Sequence, residues 1–205
     1  DAASGRVRFS ERGFSADELN VGFGDSLGAL SVAIGGYTAD ASNAVEASLR
    51  GHFSAARMID SAPHAGWLKP WLTGASDWTV TLTVPPSESG HSTPKLRLRS
   101  DLSGTAITLP APLRKDEKSR LPLDLSLQLP MTRGTIDLRL GQLLRLTGNI
   151  TPEDGLTGVA RFGDAPDATP PARGVHLAGQ VPVLDGNAWL GVATAGSGGN
   201  GLFIA

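Results

Sequence analysis

The stretch FGDSLG at residues 23–28 contains a Gly-Asp-Ser-Leu sequence like the one around the nucleophile of many serine esterases. In such enzymes the serine follows a buried strand, begins a helix, and works with an Asp-x-x-His pair near the C-terminus. Here Gly28 follows closely, and the alternation of apolar residues then resumes, so a strand is expected instead of a helix. None of the four histidines completes an Asp-x-x-His sequence. Ser26 is therefore predicted to lie at a bend between two strands.

Other residues whose side chains could act in catalysis or bind a ligand lack the spacing that such sites require. The histidines have no neighbours at zinc-site intervals, cysteine is absent, and no glycine-rich phosphate loop follows a strand. The tryptophans suggest a sugar-stacking platform as one alternative, but Trp67 and Trp71 stand four apart, which is more typical of core packing. No catalytic residue, metal ligand or cofactor is predicted, and the chain is not expected to be an enzyme.

Composition excludes further classes. The chain has 18 Lys and Arg against 20 Asp and Glu, a net charge of −2, so nothing indicates a nucleic-acid partner. No run approaches the roughly 18 apolar residues that cross a bilayer. Any export signal or membrane anchor is therefore expected outside these 205 residues.

The dominant pattern is an alternation of apolar and polar residues with a period of two. It is clearest in four segments, at residues 80–84, 96–99, 123–129 and 136–140. Alternating residues point to opposite faces of a strand, so one face is apolar and the other is wet. The residues predicted to share the apolar face are Val80, Leu82, Val84, Leu96, Leu98, Leu123, Leu125, Leu127, Ile136, Leu138 and Leu140.

Softer alternation elsewhere brings the expected number of strands to about eleven. Short turns containing glycine, such as those at residues 11–13, 132–134 and 153–155, indicate antiparallel neighbours. One or two short helices are expected within residues 54–72, with Ser54 as the cap of the first. The predicted fold is mainly β, a curved antiparallel meander with an apolar concave face. Residues 1–205 form a single segment that ends in a flexible glycine-rich tail from about residue 191.

Strands that are apolar on one face need something to cover that face. A second sheet, closure into a barrel, or a partner that is not protein would each satisfy this need. Burying apolar surface stabilises by about 25 cal/mol per Å², whether lipid tails or a second sheet cover it. The pattern itself leaves these alternatives open.

The most distinctive segment runs from residue 96 to residue 115, LRLRSDLSGTAITLPAPLRK. It resembles a segment of the YhdP-type proteins of the AsmA-like superfamily, in which an alternating strand leads into Ser-Asp-Leu-x-Gly and then Leu-Pro-x-Pro-Leu-x-Lys. The matching residues are Ser100, Asp101, Leu102, Gly104, Leu109, Pro110, Pro112, Leu113 and Lys115. Weaker similarities lie around Trp78 and between Gly174 and Trp189, in the same order as in the family.

The resemblance implies a segment of a longer periplasmic protein that is anchored in the inner membrane outside this fragment. Such a protein would guide phospholipids between inner and outer membranes through an apolar β groove and support the outer-membrane permeability barrier. The implied partners are phospholipid acyl chains and neighbouring segments of the same chain. The alternative is a non-catalytic structural or adaptor β sandwich that binds a protein. A further expectation, from local charge, is that Arg114, Lys115 and Lys118 meet headgroup phosphates.

Overall fold

The computed structural model describes residues 5–23, 25–60, 65–87, 93–166 and 168–195. Three helices lie among these residues: α1 (Ala55–Asp60), a 3₁₀ helix (Gly66–Trp71) and α2 (Gly186–Ala195). The strands are β1 (Arg6–Ser10), β2 (Gly13–Phe23), β3 (Ser26–Gly35), β4 (Val45–Ser54), β5 (Leu72–Val84), β6 (Lys95–Ser100), β7 (Thr105–Ile107), β8 (Leu123–Gln128), β9 (Gly134–Leu140), β10 (Leu144–Thr151), β11 (Gly155–Phe162) and β12 (Val175–Gly179).

The strands form one open sheet in the order β1-β2-β3-β4-β5-β6-β8-β9-β10-β11-β12, with β7 paired to β5 off this path. Neighbours are antiparallel except β11 and β12, which are parallel. The predicted class, a mainly β and mostly antiparallel sheet, is confirmed. The departures from a simple meander are β7 and the parallel β12, because the chain returns to the start of β11 before it forms β12.

Cross-strand register places the apolar residues on one side of this sheet. Val80 is paired with Leu98, and Leu98 with Leu125. Leu125 is in turn paired with Leu138. Directly paired residues share a face, so the leucines of successive strands form rows that cross the sheet. We call this side the apolar face; its members outside β5 to β9 include Val7, Phe9, Phe14, Ala16, Leu30, Val32, Ile34, Leu49, Leu144, Leu146, Ile150, Leu156, Ala160, Phe162, Val175 and Leu177.

The longer connections lie together at one end of the strands. Residues 55–71 join β4 to β5, residues 101–122 join β6 to β8, and α2 follows β12. Their described parts, at 55–60, 65–71, 101–122 and 186–192, pack onto the apolar face at this end, and we call them the cap. The core they form with the sheet contains the buried residues Phe53, Met58, Trp78, Leu102, Ile107, Leu109, Leu140 and Val192.

The opposite ends of the strands are joined by turns, which we call the open rim. Its described parts are residues 11–12, 36–44, 85–87, 93–94, 129–133 and 152–154. These turns contribute nothing to the buried core cluster, which lies entirely under the cap. The two ends of the sheet are therefore different: one carries folded insertions, and the other carries turns.

The helices agree only partly with expectation. The backbone N–H of Arg57 donates to Ser54 Oγ at 3.2 Å, which confirms Ser54 as the cap of α1. The 3₁₀ helix occupies the second predicted position, although residues 61–64 lie outside the described part. The flexible tail predicted from about residue 191 is wrong for residues 191–195, which are helical in α2, and residues 196–205 lie outside the described part. Among the described helices, none has the length and hydropathy to cross a membrane.

Candidate functional site

The structure brings all eleven predicted groove residues together on the apolar face. Leu82 is paired with Leu96, Leu96 with Leu127, and Leu127 with Ile136. The remaining positions follow by alternation within β5, β6, β8 and β9. The sequence pattern therefore placed these side chains correctly relative to one another.

The cap divides the eleven residues into two groups. Four pack against the buried core under the cap: Val80, Leu98, Leu123 and Leu140. The other seven lie outside this cluster, towards the open rim: Leu82, Val84, Leu96, Leu125, Leu127, Ile136 and Leu138. Leu127 is only 8% exposed.

The apolar face extends well beyond the predicted residues. At the open rim, Phe9 is 78% exposed and Ile34 is 39% exposed, so apolar side chains reach solvent there. Eleven strands spaced by about 4.8 Å give the face a length of about 48 Å across the strands. Sequence reasoning marked these outer strands only by softer alternation, because glycine and alanine interrupt their apolar positions.

Along the strands, the face between cap and rim is narrower. Beyond the residues that pack against the core, it spans two residue steps from Leu82 to Val84 and four from Leu146 to Ile150. At about 3.3 Å per residue, this width is about 7 to 13 Å. One leaflet of a bilayer contributes about 15 Å of hydrocarbon, half of the roughly 30 Å core. The strip is therefore somewhat shorter than one extended acyl chain laid along the strands.

The segment from Ser100 to Lys115, which carries the family resemblance, forms the central part of the cap. Ser100 Oγ accepts the backbone N–H of Leu102 at 3.0 Å, and Asp101 Oδ1 accepts the N–H of Ser103 at 2.9 Å. These bonds fold the chain back over the sheet, with Leu102 in the left-handed region at φ 52°. Leu102 and Leu109 are each only 4% exposed, so the folded-back chain places both side chains in the core.

Gly104 permits the close approach of the cap to β5. Its φ is +91°, and a Cβ atom there would lie 2.2 Å from the carbonyl oxygen of Ala75. Opposite it, Gly74 has φ +89°, and a Cβ atom would lie 2.1 Å from the carbonyl oxygen of Gly104. Both positions require glycine on grounds of backbone conformation and of space.

The second half of the motif connects the cap to α2. The backbone N–H of Leu113 donates to the carbonyl of Pro110 at 3.0 Å, which closes the turn that contains Pro112. The carbonyl of Ala111 accepts a hydrogen bond from Trp189 Nε1 at 2.8 Å. The end of the described chain is thereby attached to the cap, and Val192 of α2 is buried to 3% exposure in the same core.

Lys115 is buried in the cap and forms hydrogen bonds with its backbone. Its Nζ donates to the carbonyl oxygens of Thr105 at 2.6 Å and Asp116 at 2.8 Å. Burial lowers the pKa of this amine, and the nearby carboxylates of Asp101 and Asp116 partly oppose that shift. The expectation that Lys115 meets headgroup phosphates is wrong, because its ammonium group is directed at backbone carbonyls; Arg114 and Lys118 remain exposed.

The other buried polar side chains under the cap form hydrogen bonds, with one exception among the described residues. Ser76 and Thr105 are both fully buried, and their hydroxyls share a hydrogen bond of 2.6 Å. The indole N–H of Trp78 is buried without a partner in the described part of the chain. The other buried members of this cluster are all apolar: leucine, isoleucine, valine, phenylalanine and methionine.

The reverse side of the sheet is polar and crossed by ion pairs. Arg97 Nε donates to Asp124 Oδ1 at 2.8 Å, and Arg99 Nε donates to Asp124 Oδ2 at 3.2 Å. The Arg97 hydrogen bond lowers the pKa of Asp124 and raises that of Arg97. Asp137 makes similar pairs with Arg139 and Arg145, at 3.6 and 3.3 Å. Exposed pairs of this kind keep this side wetted and add little stability.

The Gly-Asp-Ser-Leu stretch leads into a hairpin between two strands. Ser26 is paired with Phe23 across the hairpin of β2 and β3, and no described hydrogen bond joins it to a histidine. Leu19 is paired with Leu30, so the apolar residues before and after the bend share one face, as predicted. His52 binds Asp77 on the polar side at 2.9 Å, and His64 and His91 lie outside the described residues. No group of three metal-ligating side chains forms within the described ranges.

Comparisons with known proteins place the chain in a family. The family model described as YhdP protein matches residues 1–201. No curated protein matches the chain, and no solved structure matches it. The match covers nearly the whole sequence, including the motif that builds the cap. The chain belongs to the YhdP family.

Proposed function

We propose that the apolar face binds phospholipid acyl chains and that this chain is one periplasmic segment of a longer protein. That protein, anchored in the inner membrane by a part outside these residues, would guide phospholipids between the inner and outer membranes. Such movement would support the outer-membrane permeability barrier. The proposal assigns no covalent step to any residue and no cofactor to the chain.

The observation that carries the proposal is the continuous apolar face beyond the cap. It runs through all eleven strands of the sheet path, and in the described part of the chain no second layer lies over its rim half. Contact between water and such a surface is unfavourable, and each lipid methylene group buried there contributes about 0.8 kcal/mol to the free energy of binding. A single acyl chain laid on the strip would therefore gain several kcal/mol.

Movement along this surface needs no specific binding residue. The hydrophobic effect is non-directional and follows the apolar area removed from water. An acyl chain that slides from one leucine row to the next keeps a similar buried area, so its free energy changes little along the face. Membership of the YhdP family agrees with an envelope protein of the lipid-transport type.

The test uses two adjacent residues on opposite sides of β8. Leu125 lies on the apolar face and Ser126 on the polar side, where it is paired with Arg97. We expect Leu125→Arg to reduce co-purified phospholipid, measured by native mass spectrometry, by tenfold or more, because it places a charge among the tails. Ser126→Arg should leave lipid capture unchanged. Absence of lipid from the parent protein, or equal losses in both variants, would contradict the proposal.

A structural or adaptor module remains the competing proposal, and it rests on the same apolar face. The described strands form one open sheet, so the sandwich would need a second sheet from a protein partner. In that case the purified protein would carry no lipid, and Leu125→Arg would abolish a stable protein complex instead. Size-exclusion chromatography with light scattering, run on the same two variants, distinguishes the outcomes.

A further inference from the structure

The two ends of the strands differ in a way that orients any bound lipid. The cap fills the apolar face at one end, with Trp78, Leu102 and Leu109 each under 10% exposed. At the other end, apolar side chains such as Phe9 and Ile34 meet water beside the turns of the open rim. An amphiphile on the strip between them has only one end at which its polar group reaches solvent without crossing the core.

The width of the strip agrees with this orientation. The strip measures about 7 to 13 Å between cap and rim, at about 3.3 Å per residue, and the hydrocarbon of one leaflet is about 15 Å long. With its tail ends against the cap, a lipid would therefore have its glycerol and phosphate at or just beyond the rim turns. The reverse orientation would bury a charged phosphate against Leu102 and Leu109, at a large desolvation cost.

The open rim carries charges of both signs. Arg12 and Glu11 lie in the turn between β1 and β2. Arg133 lies in the turn between β8 and β9, 4.0 Å from Glu153 in the next turn, and both side chains are about 70% exposed. Consecutive rim turns are two strands apart, or about 10 Å. The described rim residues at 36–44, 85–87 and 93–94 contain no Arg or Lys, so a guanidinium and a carboxylate occur together at two places, near Arg12 and near Arg133, about 29 Å apart along the rim.

We propose that the open rim is a headgroup site for zwitterionic glycerophospholipids, with tail ends directed at the cap. At one place Arg12 donates to the phosphate oxygens of a headgroup and Glu11 attracts its ammonium; at the other, Arg133 and Glu153 do the same for a second headgroup. A purely anionic headgroup gains the first contact but is repelled by the second. This inference rests on the proposed function, because it specifies how the same lipid is held.

Position-specific photolabelling tests the orientation. The probes are phosphatidylethanolamine with a diazirine on the headgroup and the same lipid with a diazirine at the acyl terminus. After irradiation and peptide mapping, the headgroup probe should label residues 129–134 and 152–155, and the tail probe should label residues near the cap, at 121–125 and 138–144. Headgroup label on the cap residues 113–120 would overturn the orientation while leaving the proposed function intact. No label from either probe would overturn the proposed function itself.

Charge removal tests the headgroup chemistry. The double variant Arg12→Gln with Arg133→Gln should lower capture from phosphatidylethanolamine-containing phosphatidylcholine vesicles about three- to fivefold, as expected for two exposed charge contacts. The matched control, Arg114→Gln with Lys118→Gln in the cap, removes the same charge and should have no effect. The parent should extract less from phosphatidylglycerol vesicles. Equal losses in both double variants, or a preference for phosphatidylglycerol, would refute the assignment.

Discussion

Replacing Lys115 by methionine should destabilise the cap. Methionine keeps most of the apolar stem of this residue, which is only 6% exposed, but removes the ammonium group that donates to two carbonyl oxygens. A hydrogen bond to a charged group contributes about 1.5–3 kcal/mol, and removing the charge also removes a desolvation cost that offsets part of this. We expect a net loss of about 1.5–3 kcal/mol in the free energy of unfolding.

The assay is urea unfolding, in which the shift of the midpoint at constant slope gives the change in stability. The matched control is Lys118→Met in the same segment, where the lysine is exposed and the expected change is below about 0.5 kcal/mol. Equal effects of the two substitutions would refute the assignment of Lys115 as a support of the cap.

Hydrogen exchange shows which part of the fold Lys115→Met destabilises. The backbone N–H groups of Ile107 and Lys115 each donate to the other's carbonyl oxygen at 2.9 Å, and the N–H of Gly104 donates to Glu117 at 2.9 Å. In Lys115→Met these amides should lose protection before those of β9 and β10. Uniform loss of protection across the whole sheet would contradict a role confined to the cap.

Three further outcomes follow from the described contacts. Gly104→Ala should cost more than about 2 kcal/mol in urea unfolding, because φ is +91° and the Cβ would meet the Ala75 carbonyl; a neutral effect would contradict the close approach. Asp124→Asn should cost at most about 1 kcal/mol at neutral pH. That loss should vanish in acid, because Arg97 lowers the pKa of Asp124 and its contribution disappears as pH falls through that pKa; a difference that persists in acid would contradict this. Burial lowers the pKa of Lys115 in the folded state, so between that lowered pKa and the ordinary value of 10.5 only the unfolded state keeps the proton. In this pH range the stability of the parent relative to Lys115→Met should therefore rise with pH. A stability difference that does not change with pH would contradict this expectation.

Much of the sheet could be predicted because its signal is local. In β8 and β9 the apolar residues alternate without fault, and a one-residue slip would turn the whole leucine set to water. The bend at Ser26 could also be predicted locally, because Gly28 disfavours a helix there and the apolar alternation resumes directly after it. The parallel pairing of β12 left no comparable trace, because register across a crossover depends on contacts distant in sequence.

The cap was harder to predict. Its motif was visible as a resemblance, but its structural role was not, and Lys115 was assigned to solvent because a lysine in a charged run is usually exposed. The carbonyl oxygens that hold it belong to a turn that exists only once Leu102 and Leu109 are buried. The helix α2 was missed because GNAWLGVATA lacks charges and a clear apolar stripe, so contacts such as that of Trp189 with Ala111 stabilise it instead.

By itself, the sequence determined a mainly β chain with one apolar and one polar face, because alternation with a period of two is imposed by strand geometry alone. It also determined the absence of cysteine chemistry. Only the tertiary structure decided that the insertions meet at one end of the strands and pack over Val80, Leu98, Leu123 and Leu140, while the other end stays uncovered. That asymmetry arises from contacts between segments far apart in the chain, such as Gly74 with Gly104, which no local pattern encodes.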